Sequence, residues 1–251
     1  GNWLLIEPWM MGVEGHTGCG SEKEIWDLVS GRFGKEAKQD LIKAHRRNFF
    51  TEKDVTQIAA LGMNCLRIPI WWRAIADPEY GGDMAWVDRC VEWCSRNGVY
   101  AIIDLHGAPG GPSKKAAIAG EPNDNEMWTD EVVREQTVAL WKRIAERYRD
   151  EPAVAGYDLL NEATDAPFDG LVAFYGKLYE GIRSVDSNHI IFIQDGLQGF
   201  HRLPLARDMG WENVAYSFHY YPQDPAESLE SAATIIPRFN RAAIYYDVPI
   251  Y

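Results

Sequence analysis

Short apolar runs alternate with longer amphipathic runs along the whole chain. The apolar runs are continuous, which is typical of parallel strands that are covered on both faces. Six strands and the start of a seventh are expected at residues 3–6, 64–70, 99–105, 154–160, 189–194, 214–218 and 248–251. No repeat, linker or low-complexity stretch interrupts the pattern, so residues 1–251 are expected to form a single domain.

Amphipathic helices are expected between these strands, over residues 51–62, 84–97, 132–148 and 171–185. Thr51 and Asp54 have the spacing of a capping box at the start of the first helix, and Gly62 can end it. Alternating strands and helices form either an open doubly wound sheet or a closed (β/α)₈ barrel. No glycine-rich nucleotide-binding pattern follows the first strand, which disfavours the open sheet.

Polar side chains cluster at the carboxyl ends of the predicted strands. They are Glu7 after the first strand, Arg67 in the second, His106 after the third, Asn161 and Glu162 after the fourth, and His219 and Tyr221 after the sixth. In a closed barrel this edge is the active-site face, where side chains from different strands converge. Burying so many polar groups costs free energy unless they satisfy one another or a ligand. The pattern therefore predicts a site for a polar, hydroxyl-rich ligand.

Four ordered motifs make the pattern specific. They are Leu-Arg-Ile-Pro at 66–69, Asp-Leu-His-Gly-Ala-Pro-Gly-Gly at 104–111, Leu-Leu-Asn-Glu at 159–162 and His-x-Tyr at 219–221. Together they resemble glycoside hydrolase family 5, the cellulase family, and Trp-Leu-Leu-Ile-Glu-Pro-Trp at 3–9 resembles its exo-β-1,3-glucanase branch. The resemblance implies a (β/α)₈ barrel and retaining hydrolysis of β-glucosidic bonds in glucans or related β-glucosides. Two glutamates carry out this chemistry without a cofactor.

The resemblance also implies catalytic roles for individual residues. Glu162 is the expected acid/base, and burial together with the nucleophile's charge should raise its pKa. Asn161 would bind the sugar 2-hydroxyl, and Arg67 would keep the nucleophile ionised; as an alternative, Arg67 forms an ordinary buried ion pair. His219 and Tyr221 would line the site of the cleaved sugar, with Tyr221 contacting the nucleophile.

Substrate binding is expected from a second group of side chains. Glu7 resembles the residue that holds hydroxyls of the terminal sugar, and His106 would line the site of the cleaved sugar together with His219 and Tyr221. Trp71, Trp72 and Trp128 could stack on sugar faces, although tryptophans in such positions also serve as plain packing.

The nucleophilic glutamate of the family belongs at the end of the seventh strand, and we expect it beyond Tyr251. The eighth strand is likewise expected beyond Tyr251, and the chain is expected to begin and end inside barrel strands. Residues 1–251 alone are therefore expected to be hydrolytically inactive and prone to aggregation. The segments 112–115 and 120–123 differ from the family pattern, so substrate specificity stays open. Ala163 stands where proline is common, a change that is expected to leave the chemistry intact.

Charge and cysteine content exclude other classes of function. The chain has 251 residues and a formal net charge of −12, which argues against nucleic acid and anionic membrane as partners. No apolar run reaches the ~18 residues of a membrane span. The cysteines match no zinc-site spacing, so no metal is expected, and buried reduced thiols are the favoured interpretation for Cys19, Cys65, Cys90 and Cys94.

Two alternatives to a glycosidase stay open. One is a carbohydrate-binding barrel without catalysis, and the other is a metal-dependent barrel hydrolase that uses His106, His219 and Glu162. The second is disfavoured because no His-x-His pattern follows the first strand. The sequence itself does not indicate a compartment, whereas the family resemblance slightly favours a secreted or cell-surface protein.

Overall fold

The computed structural model of the protein describes residues 2–221 and 228–251. Its sheet has five strands, each hydrogen-bonded in parallel to the next one in the sequence. The strands are β1 (Cys65–Trp71), β2 (Tyr100–Gly107), β3 (Val154–Asp158), β4 (Ile190–Gln194) and β5 (Val214–Ser217). They correspond to the second to sixth strands predicted from the sequence.

One residue pair extends the sheet at each edge. Leu4 forms a parallel bridge with Ile70 of β1, and Ile250 forms a parallel bridge with Tyr216 of β5. The first and seventh predicted strands are therefore present as single bridges instead of full strands. Including these bridges, seven segments lie side by side in sequence order, all parallel, as in the wall of a (β/α)₈ barrel.

Helices connect the strands. They are α1 (Glu14–Thr17), α2 (Glu22–Asn48), α3 (Glu52–Ala60), α4 (Trp72–Ala76), α5 (Ala85–Asn97), α6 (Ala116–Ala119), α7 (Glu126–Thr129), α8 (Glu131–Tyr148), α9 (Phe168–Arg183), α10 (Ala206–Met209) and α11 (Ser228–Tyr246). The four predicted helices correspond to α3, α5, α8 and α9. The backbone N–H of Thr51 donates to Asp54 Oδ2 at 2.7 Å, so the predicted capping box forms. No helix in the described part of the chain is long and apolar enough to cross a membrane.

The long helix α2 is missing from the sequence prediction because its buried face is strongly charged. Glu22, Lys38 and Arg46 are buried along it, together with Trp26 and Ile42. The carboxylate of Glu22 accepts hydrogen bonds from the Trp26 indole at 2.9 Å and from the backbone of Ile6 at 2.8 Å. A helix that buries charges in this way lacks the apolar periodicity on which the prediction relied.

The two faces of the sheet carry different side chains. The outer face packs against the helices in one large apolar core, whereas Ile102, Phe192 and Ala215 form a small separate cluster on the other face. Asp104 lies two residues beyond Ile102, so strand alternation places it on that same inner face, nearer the carboxyl end. The interior of the sheet is therefore apolar at its lower level and charged near the carboxyl ends of the strands.

Side chains on the inner face of the sheet reach across neighbouring strands. The Arg67 Nε on β1 lies 2.7 Å from Asp158 Oδ2 on β3, although β2 separates the two strands. The Arg67 side chain therefore spans the inner face of β2 and links the polar residues of three strands.

Candidate active site

A cleft with a volume of about 740 Å³ opens at the carboxyl ends of the strands. All the predicted site residues except the tryptophans line it, namely Glu7, Arg67, His106, Asn161, Glu162, His219 and Tyr221. Backbone segments far apart in sequence thus bring together the polar side chains that the strand-end pattern singled out. The geometry agrees with the expectation that they form one site.

Glu162 lies just beyond β3 and is only 6% exposed. Its backbone has a φ of 44°, a left-handed conformation that is uncommon for a residue with a side chain, and its N–H donates to Gln194 Oε1 at 3.1 Å. His219 Nδ1 donates to Glu162 Oε1 at 2.7 Å, and the Tyr221 hydroxyl donates to the same oxygen. Both described side-chain hydrogen bonds therefore go to Oε1, and Oε2 has no described partner.

The expectation that the pKa of Glu162 is raised is wrong for this structure. Burial does raise it, but the hydrogen bonds from His219 and Tyr221 outweigh burial and lower the pKa of Glu162 to about 2. Both donors stabilise the carboxylate form, and no second carboxylate contacts Glu162 among the described residues to oppose them. The hydroxyl of Tyr221 donates to Glu162 here, and its expected contact with a nucleophile beyond Tyr251 stays a prediction.

Arg67 uses all three guanidinium nitrogens within the site. Nε lies 2.7 Å from Asp158 Oδ2, Nη1 lies 3.0 Å from Asp104 Oδ2, and Nη2 donates to Asn161 Oδ1 at 2.9 Å. Burial opposes the charge of the guanidinium, but the two carboxylates outweigh it and hold the pKa of Arg67 above its ordinary value. Arg67 is therefore a fixed cation that orients the Asn161 amide.

His106 joins the same network from the other side of Asn161. Its Nδ1 lies 2.7 Å from Asp104 Oδ2, and its Nε2 lies 3.1 Å from the Asn161 Nδ2. Asn161 is thus held at its carbonyl oxygen by Arg67 and at its amide nitrogen by His106.

Three residues that support this network had no role predicted from the sequence. Asp104, Asp158 and Gln194 are buried on the inner face of β2, β3 and β4. Gln194 Nε2 donates to both oxygens of Asp158, at 2.9 and 3.0 Å. Burial raises the pKa of Asp158 against the opposing charge of Arg67. A signal was available for Asp104, because it lies two residues before His106 and strand alternation places both on one face.

The predicted role in sugar binding is contradicted for Trp71 and has no support for Trp72 and Trp128 in the described structure. Trp71 is fully buried and packs edge-on against Tyr80, so it cannot stack on a sugar. The Trp72 indole donates to Glu121 at 2.8 Å, and the Trp128 indole donates to the backbone of Pro112 at 3.1 Å. Neither Trp72 nor Trp128 lines the cleft.

A different tryptophan, Trp9, does line the cleft. Its side chain is 60% exposed, and its indole N–H donates to Glu7 Oε1 at 3.3 Å. The sequence motif at residues 3–9 contains Trp9 but does not indicate a role for it. The exposed Trp9 ring can pack against one face of a sugar while the adjacent Glu7 carboxylate accepts a hydrogen bond from a hydroxyl of the same sugar.

One wall of the cleft is formed by the loop that differs from the family pattern. Lys115 and Ile118 line the cleft at and near the start of α6. Asp165 holds this loop, since its Oδ2 accepts from the Lys114 backbone at 2.9 Å and from the Ser113 hydroxyl at 3.1 Å. The segment that we expected to affect specificity is therefore ordered against the loop that follows β3.

Metal ligation has no support in the described residues, where no group of three or more His, Cys, Asp or Glu side chains could hold an ion. All four cysteines are free thiols; Cys19, Cys90 and Cys94 are buried and Cys65 is partly buried.

Comparisons with known proteins agree with the geometry. A sequence model described as cellulase (glycosyl hydrolase family 5) matches residues 31–245. A β-xylosidase from Phanerodontia chrysosporium is 30% identical over 88% of this chain and 47% of its own length. A glucan 1,3-β-glucosidase from Candida oleophila is 30% identical over 92% of this chain and 58% of its own length. The chain therefore spans about half the length of the curated relatives it matches.

Solved structures show the same fold. The rutinosidase from Aspergillus niger superimposes with a TM-score of 0.79 at 15% identity, covering 100% of this chain and 76% of its own. At this identity the likeness shows the fold alone, which is the (β/α)₈ barrel that the family resemblance implied. Because the family model covers most of the chain, the protein belongs to glycosyl hydrolase family 5, the cellulase family.

Proposed function

We propose that the full-length protein is a retaining glycoside hydrolase that cleaves β-glucosidic bonds, with Glu162 as its acid/base. The observation that carries the proposal is the placement of Glu162 in the cleft, where its Oε1 is held by His219 and Tyr221. Its other oxygen, Oε2, is left for the glycosidic oxygen of a substrate. Asn161, held from both sides, lies next to it in the chain and lines the same cleft.

The chemistry requires a second carboxylate. In the first step, protonated Glu162 gives its proton to the leaving oxygen while the second carboxylate bonds to the anomeric carbon and the glycosidic bond breaks. In the second step, the Glu162 carboxylate takes a proton from water, whose oxygen displaces the second carboxylate from the sugar. The net reaction adds one water across one glycosidic bond.

The backbone pairing indicates where the second carboxylate would lie. Tyr251 N–H donates to Tyr216 O at 2.8 Å, and Phe218 N–H donates to Tyr251 O at 3.2 Å. If this parallel register continues in the full-length protein, the residues after Tyr251 run alongside His219, which contacts Glu162. A glutamate within the next few positions would then face Glu162, as the nucleophile of a retaining enzyme requires.

A second carboxylate would also reverse the direction of the pKa shift at Glu162. The present pKa of about 2 reflects two donors and no nearby negative charge. A carboxylate within about 5–5.5 Å would disfavour the charged form of Glu162 and raise its pKa. The acid/base role of Glu162 thus depends on the presence of the second carboxylate.

The substrate is proposed to be a glucan or a related β-glucoside, bound by its terminal sugar. Glu7 would accept hydrogen bonds from hydroxyls of that sugar, and the exposed face of Trp9 could pack against it. Relatives named glucan 1,3-β-glucosidase support this class.

The test uses the full-length protein with an aryl β-glucoside and a β-1,3-linked glucan oligosaccharide. The first sugar released should be the β-anomer, observed by NMR before mutarotation. Release of the α-anomer first would refute the retaining mechanism. Binding of the oligosaccharide without turnover would instead favour the carbohydrate-binding alternative, whereas activity lost with a chelator would favour the metal-dependent one.

A further inference from the structure

We infer that Asp104 is a positioning residue: through His106 it turns the amide of Asn161 so that one N–H points at the substrate. The inference rests on the proposed function, since it concerns how the site holds the sugar 2-hydroxyl. It adds to that function a residue that touches neither the substrate nor the reacting atoms.

The geometry of His106 sets its proton. Asp104 Oδ2 lies 2.7 Å from Nδ1 and is an acceptor, so Nδ1 carries the hydrogen. In the neutral ring, Nε2 then has a lone pair directed at the Asn161 Nδ2, 3.1 Å away. The amide N–H donates to that lone pair. Asp104 therefore selects the histidine tautomer that can accept from Asn161.

The other end of the amide is held independently. Arg67 Nη2 donates to Asn161 Oδ1 at 2.9 Å, which fixes the oxygen on the arginine side. With one amide hydrogen on His106, the second hydrogen of Nδ2 has no described partner, and Asn161 lines the cleft. The opposite tautomer of His106 would set N–H against N–H and loosen this orientation.

The environment of Asp104 suggests a role beyond stability. It is fully buried, its Oδ2 serves both Arg67 and His106, and its Oδ1 has no hydrogen-bond partner in the described part of the chain. A buried acceptor without a partner costs free energy. A residue that served only to stabilise the fold would be expected to use both oxygens.

The chain contains such a structural pair for comparison. Asp186 Oδ2 lies 2.6 Å from His189 Nδ1 and accepts from the Tyr157 hydroxyl at 2.7 Å. Its Oδ1 accepts from the backbone of Asn188 at 2.8 Å. Both oxygens are satisfied, and the pair lies at the start of β4, away from the cleft. Asp186 is thus a matched control for a buried aspartate that holds a histidine.

The experiment compares Asp104→Asn with Asp186→Asn in the full-length protein. Each variant is assayed on an activated aryl β-glucoside and on its 2-deoxy counterpart, and the ratio of the two kcat/KM values is measured. Asp104→Asn should lower kcat/KM on the parent substrate by about 10- to 100-fold, the loss of one hydrogen bond in the transition state, and change the 2-deoxy substrate much less. Asp186→Asn should lower the Tm and leave the ratio unchanged.

An equal loss on both substrates in a folded Asp104→Asn protein would overturn the inference. If this variant does not fold, His106→Phe provides the same readout, because it removes the acceptor and keeps the ring volume; an unchanged ratio there would also overturn it. Failure of the wild-type protein to hydrolyse any β-glycoside would instead refute the proposed function. The two failures are therefore distinguishable.

Discussion

Replacing Glu162 with glutamine should separate the chemistry of this residue from its packing. Both described side-chain hydrogen bonds reach Oε1, from His219 and from Tyr221. A glutamine can keep its carbonyl oxygen at that position and place its NH₂ group where Oε2 was. The variant is therefore expected to fold like the parent protein and to lose only the proton that the carboxyl group supplies.

The expected loss depends on the leaving group. A positioned general acid contributes about 10²–10⁴-fold to a step that needs proton transfer, which corresponds to about 2.7–5.4 kcal/mol of barrier. A glycoside with a poor leaving group, such as an alkyl alcohol, should suffer this full loss when its bond is cleaved. An activated aryl leaving group departs with little protonation, so its glycosylation step should slow by less than about tenfold.

The assay measures kcat/KM of the full-length Glu162→Gln variant on one alkyl and one dinitrophenyl β-glucoside. The Tm and the circular dichroism spectrum control for folding. Equal losses on both substrates would refute the assignment of Glu162 as the acid/base, because the proton matters only when the leaving group needs it.

Three further predictions concern the surroundings of this residue. Tyr221→Phe removes a donor that favours the carboxylate form; the pKa of Glu162 should rise, and the basic limb of the kcat/KM profile, where this residue loses its proton, should move up by about one pH unit. A limb that stays in place or moves to lower pH would contradict this. Trp71→Ala should lower the free energy of unfolding by about 3–5 kcal/mol, whereas Trp9→Ala should raise KM and leave the Tm nearly unchanged. Denaturant unfolding measures the first effect and steady-state kinetics measure the second. The reverse pattern would contradict the placement of Trp9 in the cleft and of Trp71 in the core. Asp165→Ala frees the loop before α6 and should raise KM severalfold with kcat nearly constant, a result that a large fall in kcat would exclude.

The pattern of apolar residues along the chain predicted all five strands and four of the helices. β1 to β5 and four of the connecting helices lie where continuous apolar runs and 3.6-residue periodicity indicated. The helix α2 could not be found in this way, since Glu22, Lys38 and Arg46 lie on its buried face. The helix α11 was also not predicted, and it contains Pro237, a residue that usually ends a helix.

The candidate site likewise has features that could be predicted from the sequence and features that could not. Arg67, Asn161 and Glu162 could be predicted from the sequence because they lie within or shortly after apolar strands and fall within recognisable motifs. The direction of the pKa shift at Glu162 could not, because it depends on which donors reach one oxygen in three dimensions. The burial of Trp71 could not be predicted for a related reason, since a motif gives residue type and position, whereas exposure depends on tertiary packing.

The layering of the barrel interior has a consequence for proton exchange. Ile102, Phe192 and Ala215 form an apolar cluster on the inner face below the charged level, whereas Glu162 lines the cleft. A proton from bulk water can therefore reach Glu162 through the same opening as the sugar. Once a substrate occupies that opening, exchange with bulk water is slowed, and the protonation state selected before binding is carried into the reaction. The titration of Glu162 should consequently be visible in kcat/KM, which reports the free enzyme, and weaker in kcat.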